Sequence, residues 1–327
     1  MRLIGVAVVK NEADIIEASV RGNLELLDHL VVLEHGSTDA TPGILLELKK
    51  EGLPLTLVDG AGVAFNQATI TTGLMRRALA MHEGDVGIPL DADEILVAPG
   101  RGELEAGLAA IGAHGVGSLR WRTYVPPAEP EPPMHPLRSA RLRCRDDVDS
   151  GLKAVVPRAL AERQDWSYSS GNHTVLRPGD GGPRVQEARP IEQAGIAHVP
   201  FRSAAQLTNK VLVGYFARRL MLRERMRTTG LSFQFRSLFD RLMRGERFGP
   251  ADVQRAALEY YVVGHDPART GSAHLPALVE DPLPVRSELR YTPDEPPDAL
   301  AALALWMDRL MDSMLQQPAP QGGAPAA

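Results

Sequence analysis

Apolar and polar positions alternate in blocks over the first hundred residues. Four short apolar runs, "LIGVAVV" from Leu3, "HLVVLEH" from His29, "PLTLVD" from Pro54 and "DVGIPLD" from Asp85, each end in a turn signal. They read as strands buried on both faces. The stretches between them, "ADIIEASVRGNLELL", "TPGILLELKKEG" and "ATITTGLMRRALAMHEG", carry apolar residues at helical spacing. Thr41-Pro42 opens the second of these and Gly52 closes it, as helix-capping chemistry requires. Strand and helix in alternation predict a mostly parallel central sheet flanked by helices. Ligands bind such sheets beyond the carboxyl ends of the strands. That rule places Asn11-Glu12, Glu34 to Asp39, Asp59 and Asp91 to Glu94 along one rim.

The pattern changes after Gly115. "GVGSLRWRTYVP" predicts a long strand, followed by a Pro-rich loop from Pro126 to Pro136. "LKAVVP", "NHTVL" and "GIAHVPF" predict short strands set among Gly, Pro and Asp clusters. From Ser203 to Arg247 the chain becomes helical and basic, with ten Lys or Arg against three acids. "PADVQRAALEYYVVG" and "PDALAALALWMDRLMDSML" predict two more helices, and "QQPAPQGGAPAA" is a low-complexity tail expected to be disordered. The expected organisation is an α/β unit over 1–200, its halves meeting near 114 and 115, with a helical extension over 201–315 packed on it and a tail over 316–327.

Composition narrows the classes. The chain has 327 residues, 44% hydrophobic and 24% charged, which suits a globular protein with a real core. A formal net charge of -5 argues against a general nucleic-acid binder. A single cysteine, Cys144, leaves no internal disulfide pair. It sits among Arg141, Arg143 and Arg145 with no histidine pattern beside it, and reads as incidental. "MRLIGVAVVKNEADI" turns polar too early for a targeting segment, and no apolar run is long enough to span a bilayer. A cytoplasmic protein is expected.

The stretch "GIPLDADEIL" runs an apolar strand into Asp91, Asp93 and Glu94. Like charges that close repel, so something must offset the cost. A D-x-D pair leaving a strand would set two carboxylates on one side, since strand side chains alternate. Two hard oxygen donors suit Mg²⁺ or Mn²⁺, which keep waters and are completed by substrate phosphates. A solvated acidic turn is the plainer alternative.

Three motifs in order give the chain a family likeness. "VVKNEADII", "VVLEHGSTDAT" and "LDADEIL" together resemble the N-terminal half of family 2 glycosyltransferases, which have the GT-A fold. Asn11-Glu12, Glu34-x-x-Ser37-x-Asp39-x-Thr41 and Asp91-x-Asp93 fill the family's places. "GIAHVPFRSAAQLTNK", Gly195 to Lys210, resembles the distal His-x-x-x-Arg-Ser-x-x-Gln-x-x-x-Lys segment of a bacterial branch with the Asp-Ala-Asp-Glu motif. The likeness covers roughly the first hundred residues and 195–215.

The resemblance implies a GT-A-like catalytic domain with a donor-binding half over 1–114 and an acceptor-side half over 115–200. It implies metal-dependent transfer of a sugar, with inversion, from a nucleotide-diphospho-sugar donor to a hydroxyl of a carbohydrate or lipid-linked acceptor. Asp93 would be a direct ligand of Mn²⁺ or Mg²⁺, with Asp91 near the ribose or a metal-bound water and His198 as a metal or diphosphate partner. Arg202 and Lys210 would add positive charge at the diphosphate. Asn11, Glu12, Glu34, His35, Asp59, Asn66 and Arg76 complete the expected donor-binding set. The family usually has Asp, then Asp or Asn, where this chain has Glu34-His35, and that pair would sit beside the base. For Arg76 and its neighbour Arg77 a solvated helix face competes with a diphosphate contact. No Glu-Asp pair stands where many relatives place the general base; Glu192 and Asp149 are the candidates available.

Plainer roles compete at several positions. Asn11 is cap material for the following helix, and Ser37, Thr38 and Asp39 are turn and N-cap residues that would shape the pocket. His173 reads as a packed or capping residue. The basic stretch "FARRLMLRERMR" would lie on anionic lipid, a peripheral contact at the inner face of the membrane suiting a lipid-linked acceptor, or would pack its apolar side on the catalytic half. Three rival functions stand beside the transferase. A nucleotidyltransferase would want a glycine cluster after the first strand, which "VVKNEADII" lacks. A catalytically inactive nucleotide-sugar-binding adaptor would need no general base. A phosphatase would place its D-x-D after the first strand rather than the fourth.

Overall fold

The computed structural model describes residues 1–60, 66–129, 136–145, 152–223, 233–263, 276–283, 288–293, 303–305 and 307. The α/β alternation is present from the start: β1 (Leu3–Val9), α1 (Ile16–Leu24), β2 (His29–Glu34), α2 (Thr41–Lys50), β3 (Leu55–Asp59), α3 (Gln67–Met81) and β4 (Val86–Leu90). β1 pairs in parallel with both β2 and β4, and β2 with β3, so the rim expected from sequence exists. The two faces of β1 belong to different cores. Leu3, Ala7 and Val9 pack with α1 and α2 residues such as Ile16, Val20 and Leu48. Ile4 and Val6 pack with Leu74, Met75 and Leu79 of α3. That is why β1 reads as continuously apolar: it has no solvent face. Gly87 lets α3 lie close, since a Cβ there would meet Met75 Sδ at 2.1 Å.

Beyond β4 the sheet becomes mixed. β5 (Glu94–Val97), α4 (Arg101–Ala109), β6 (Val116–Val125), α5 (Pro136–Ser139), β7 (Leu142–Cys144), β8 (Leu152–Pro157) and α6 (Arg158–Ala161) follow in the chain. After them come β9 (Ser167–Tyr168), β10 (Val175–Arg177), β11 (Arg184–Gln186) and β12 (Ala188–His198). β8 lies between β4 and β6, antiparallel to both. β12 runs parallel to β6 and antiparallel to β5, bringing His198 opposite Glu94 and Thr123. The segment "NHTVL" is only partly extended: a tight turn over Ser170–Asn172 precedes β10.

The helical continuation comprises α7 (Ala204–Arg223), α8 (Phe233–Met243) and α9 (Pro250–Val263), followed by the short strand β13 (Leu278–Glu280) on β7. Leu207 and Val211 of α7, Phe239 of α8 and Val253 and Ala257 of α9 share one core with Val125 and Phe201. Among the described residues no helix is long and apolar enough to cross a membrane. The side chains of Arg218, Arg219 and Arg223, all of Arg225 and Arg227, Asp149, most of the expected helix over 297–315 and the tail over 316–327 lie outside the described residues.

Candidate active site

The loop after β1 is held by the turn after β2. Asn11 adopts a left-handed backbone with φ 56. Its N–H donates to Ser37 Oγ at 3.0 Å, and its Oδ1 accepts from the Thr38 N–H at 2.7 Å. The N–H of Glu12 donates to Thr41 Oγ1 at 2.9 Å and that of Ala13 to Asp39 Oδ2 at 3.1 Å. Ser37, Thr38, Asp39 and Thr41 therefore shape the rim. Glu34 turns back on its own loop, accepting from the N–H groups of Gly36 at 3.1 Å and Ser37 at 2.6 Å. His35 is buried, and burial, with Lys10 nearby, lowers its imidazole from the ordinary value. Asp59 is exposed at the end of β3, in register with Glu34.

Asp91 to Glu94 form a turn between β4 and β5, closed by the Glu94 N–H donating to the Asp91 carbonyl at 3.1 Å. The strand alternation expected to align Asp91 and Asp93 stops at Leu90, and each acid meets a different cation. Asp91 Oδ1 accepts from Gln67 Nε2 at 2.9 Å and Oδ2 from Lys153 Nζ at 2.6 Å. Lys153 is fully buried and also lies 3.1 Å from Glu94 Oε2. Burial alone would discharge that ammonium; the charges of Asp91 and Glu94 win and raise its pKa. Glu94 is fully buried as well, and burial raises its carboxyl against the pull of Lys153. Asp93 Oδ2 accepts from Lys210 Nζ at 2.9 Å, with Arg202 Nη1 at 4.0 Å. Burial works to raise the Asp93 carboxyl, but Lys210 and Arg202 keep it well below the usual carboxylate range. Paired lysines, one buried and one at the surface of the cleft, are what offset the repulsion among the three acids.

The distal segment closes the site. His198 ends β12, buried, with its ring stacked on Trp121 at 4.2 Å between centroids and Tyr260 of α9 at 5.9 Å. Burial pushes its imidazole down to about 4 despite Asp93, so the ring is neutral, and among the described residues its buried Nδ1 has no partner. Arg202 does not offer a free fork to a ligand. Its guanidinium binds both oxygens of Asp14, at 2.8 and 2.9 Å, and a carboxylate oxygen of Glu12, with its side chain 1% exposed. Burial raises the Glu12 carboxyl to about 7 against Arg202 and Lys210. Lys210 keeps 31% of its side chain exposed while its ammonium donates to Asp93 and, at 3.1 Å, to the Pro200 carbonyl.

Of the expected site residues, Asn66 stands beside Gln67 at the rim as a helix cap, while Arg76 and Glu192 lie away from it. Asn66 caps α3, accepting from the Thr69 N–H at 3.2 Å. Arg76 is ten residues further along α3, roughly 15 Å from the rim at a helix's rise. It donates to the Trp166 carbonyl at 2.7 Å and lies over the Trp166 ring. Glu192 is six residues before His198 on β12, roughly 20 Å away at a strand's rise. It is exposed and 3.8 Å from Arg120. Conversely, Asp14, Gln67, Trp121, Lys153 and Tyr260 belong to the site although no motif marks them. Lys153 had a signal: a lone lysine in the apolar run "LKAVVP" must have a buried partner. Trp121 and Tyr260 had none.

No family model matches the chain, and no curated protein does. Among solved structures it is similar to residues 1–349 of Staphylococcus aureus TarS in complex with UDP, at 13% identity and a TM-score of 0.35, covering 66% of this chain and 65% of that one. It is similar to the glucosyl-3-phosphoglycerate synthase of Mycobacterium tuberculosis with Mn²⁺, UDP and glucosyl-3-phosphoglycerate, at 22% identity and a TM-score of 0.27, covering 37% and 44%. A third is the mannosyltransferase PcManGT of Pyrobaculum calidifontis with GDP-Man and Mn²⁺, at 16% identity and a TM-score of 0.37, covering 98% and 76%. The matched part thus spans less than two thirds of the first two proteins. Likenesses this distant transfer no activity, which has to be read from the side chains of this chain.

Proposed function

We propose that the chain is a GT-A-type glycosyltransferase that takes a nucleotide-diphospho-sugar donor and transfers the sugar to a hydroxyl of a glycan or lipid-linked acceptor. The observation that carries this reading is the meeting of Asp91-x-Asp93, the Asn11-Glu12 loop and the His198-to-Lys210 segment at one end of the sheet. Lys210 donates to Asp93 while remaining partly exposed, so its ammonium is available to a diphosphate oxygen in the cleft. Glu12, Asp14 and Arg202 form a buried brace that fixes the loop after β1 against the distal segment. Gln67 and Lys153 hold Asp91 by its two oxygens.

The donor set fits a divalent ion of the Mn²⁺ or Mg²⁺ kind. Asp93 uses only Oδ2 in its hydrogen bond with Lys210, and the neutral His198 carries a buried nitrogen without a partner among the described residues. Among the described residues no three His, Cys, Asp or Glu side chains form a cage by themselves, which suits a cation completed by donor phosphates and water. Such an ion would supply charge stabilisation to the departing nucleoside diphosphate. An inactive nucleotide-sugar-binding adaptor remains the second reading, favoured by the placement of Glu192 far from the rim. A thermal-shift panel of nucleoside diphosphates and nucleotide sugars, with and without Mn²⁺, tests the proposal. One nucleotide class should raise the melting temperature with Mn²⁺ present, and turnover of its sugar separates enzyme from adaptor. No shift with any nucleotide would overturn both readings.

A further inference from the structure

The sheet made by β6, β12 and β5 has a second face. Trp121 and His198 stack on one side of it. Strand alternation sends Arg122 and Tyr124 to the other, where Tyr124 packs with Ile95 and Ala197 in a separate core. On that side lies a cavity of about 570 Å³, walled by α1, β5, the bulged part of β12, Asp281, Pro282 and Leu283, and Leu289. This volume falls within the ~300–1,000 Å³ typical of small-molecule sites. The wall carrying Leu289 is tied down: Glu17 of α1, fully buried, accepts from the backbone N–H groups of Arg290, Tyr291 and Thr292 at 2.8 to 3.1 Å.

The charges lining the cavity are engaged, with one exception. Arg21 pairs with Glu17 and Glu51, and Arg101 with Asp28 and Glu105. Asp281 pairs with Arg143, Glu192 lies 3.8 Å from Arg120, and Glu25 has an interaction of its own. Arg122 is half-buried against the apolar side chains and has no hydrogen-bond or ion-pair partner among the described residues. A half-buried guanidinium beside an apolar wall, with no protein acid on it among the described residues, is matched by a planar anion that its fork can hold. The apolar wall of Ile95, Tyr124, Leu137, Leu283 and Leu289 calls for an apolar body behind the anionic head.

We propose that this cavity is a second binding site, separate from the nucleotide rim, for a small amphiphilic anion: a carboxylate or phosphate head on Arg122 and an acyl or aryl body on the apolar wall. It goes beyond the transferase reading and does not depend on it. The test is a fluorescence titration of the full chain with 1-anilinonaphthalene-8-sulfonate, with octanoate and octyl phosphate as competitors. One saturable site, displaced by octanoate or by octyl phosphate, supports the proposal, and the better competitor names the head group. Arg122→Gln should weaken the probe about tenfold and Arg122→Lys less, since the lysine keeps the charge and loses the fork. Among the described residues the Arg122 side chain makes no hydrogen bond that the substitution would break. Leu289→Glu, which supplies a resident carboxylate, should weaken the probe too. Absence of a saturable site, or undiminished binding by both Arg122→Gln and Leu289→Glu, would overturn the proposal. So would displacement of the probe by a nucleoside diphosphate with Mn²⁺, which would place it at the rim.

Discussion

Lys153 Nζ lies 2.6 Å from Asp91 Oδ2, and the ammonium that makes this contact is fully buried. β8 carries it there. Antiparallel pairing sets Val156 of β8 opposite Gly87 of β4 and Lys153 opposite Leu119 of β6, so the lysine arrives level with the end of β4. Lys153→Met would leave Asp91 and the buried Glu94 without their cation. Breaking a buried pair by removing one partner costs about 3–5 kcal/mol. Urea unfolding should show a loss of that order, with part of it recovered in Lys153→Met/Glu94→Gln, where the more deeply buried of the two stranded acids is also removed. A midpoint equal to wild type would show that the ammonium does not hold the turn.

Asp93→Asn keeps shape and removes charge at the residue that Lys210 grips. We expect the melting temperature to fall modestly while Mn²⁺-dependent binding of a nucleoside diphosphate disappears, read by titration calorimetry with and without the metal. Retained Mn²⁺ dependence would exclude Asp93 as the ligand. His198→Gln should weaken the same binding while the melting temperature reports its lost packing on Trp121 separately.

Three residues expected at the site should behave as bystanders to binding. Asn66→Ala removes a helix cap and should cost about 1 kcal/mol. Arg76→Leu removes a hydrogen bond to the Trp166 carbonyl and should cost about 1–2 kcal/mol. Glu192→Gln is on an exposed strand edge and should be close to neutral. In all three, nucleotide affinity should match wild type. A tenfold loss in any of them would return that residue to the donor site.

How much of this molecule is legible along the chain depends on the range of the interactions. β1 to β4 and their helices are local patterns of period and capping, and they stand where the periodicity places them. The rim follows from their parallel order alone. The brace of Glu12, Asp14 and Arg202 joins residues almost two hundred positions apart, and nothing local distinguishes an arginine bound to protein acids from one awaiting phosphate. Arg76 shows the complementary limit. Its place on a helix is legible, but the direction it faces depends on where Trp166 packs. β5 escapes a reading by period because it is short, and β12 is legible only from Gly195, its earlier part being cut off by a register shift between Pro190 and Gly195.

A histidine pair far from the rim should give the fold a pH dependence of its own. The rings of His29 and His82 stack with centroids 3.7 Å apart, and Thr56 Oγ1 lies 2.9 Å from His29 Nε2 and 3.3 Å from His82 Nε2. Burial first, then His82 and Arg2, push the His29 imidazole from 6.5 down to about 4, and burial with Arg2 lowers His82 as well. A histidine whose folded pKa is depressed binds fewer protons in the native state than in the unfolded one between those values. Its contribution to stability is therefore fully present above pH 6.5 and is lost as pH falls toward about 4. Glu12 and Glu94, whose carboxyls are raised by burial, act in the opposite sense above pH 4.5, so the wild-type curve alone would hide the effect. The difference in unfolding free energy between wild type and His29→Gln isolates it. That difference should grow by about 1–2 kcal/mol from pH 4 to pH 7, solvent screening of a partly exposed ring having reduced the full linkage value. A difference that stays constant over this range would mean that ionisation of the imidazole is not coupled to folding, and that the stacked pair is held by its packing and Thr56 alone.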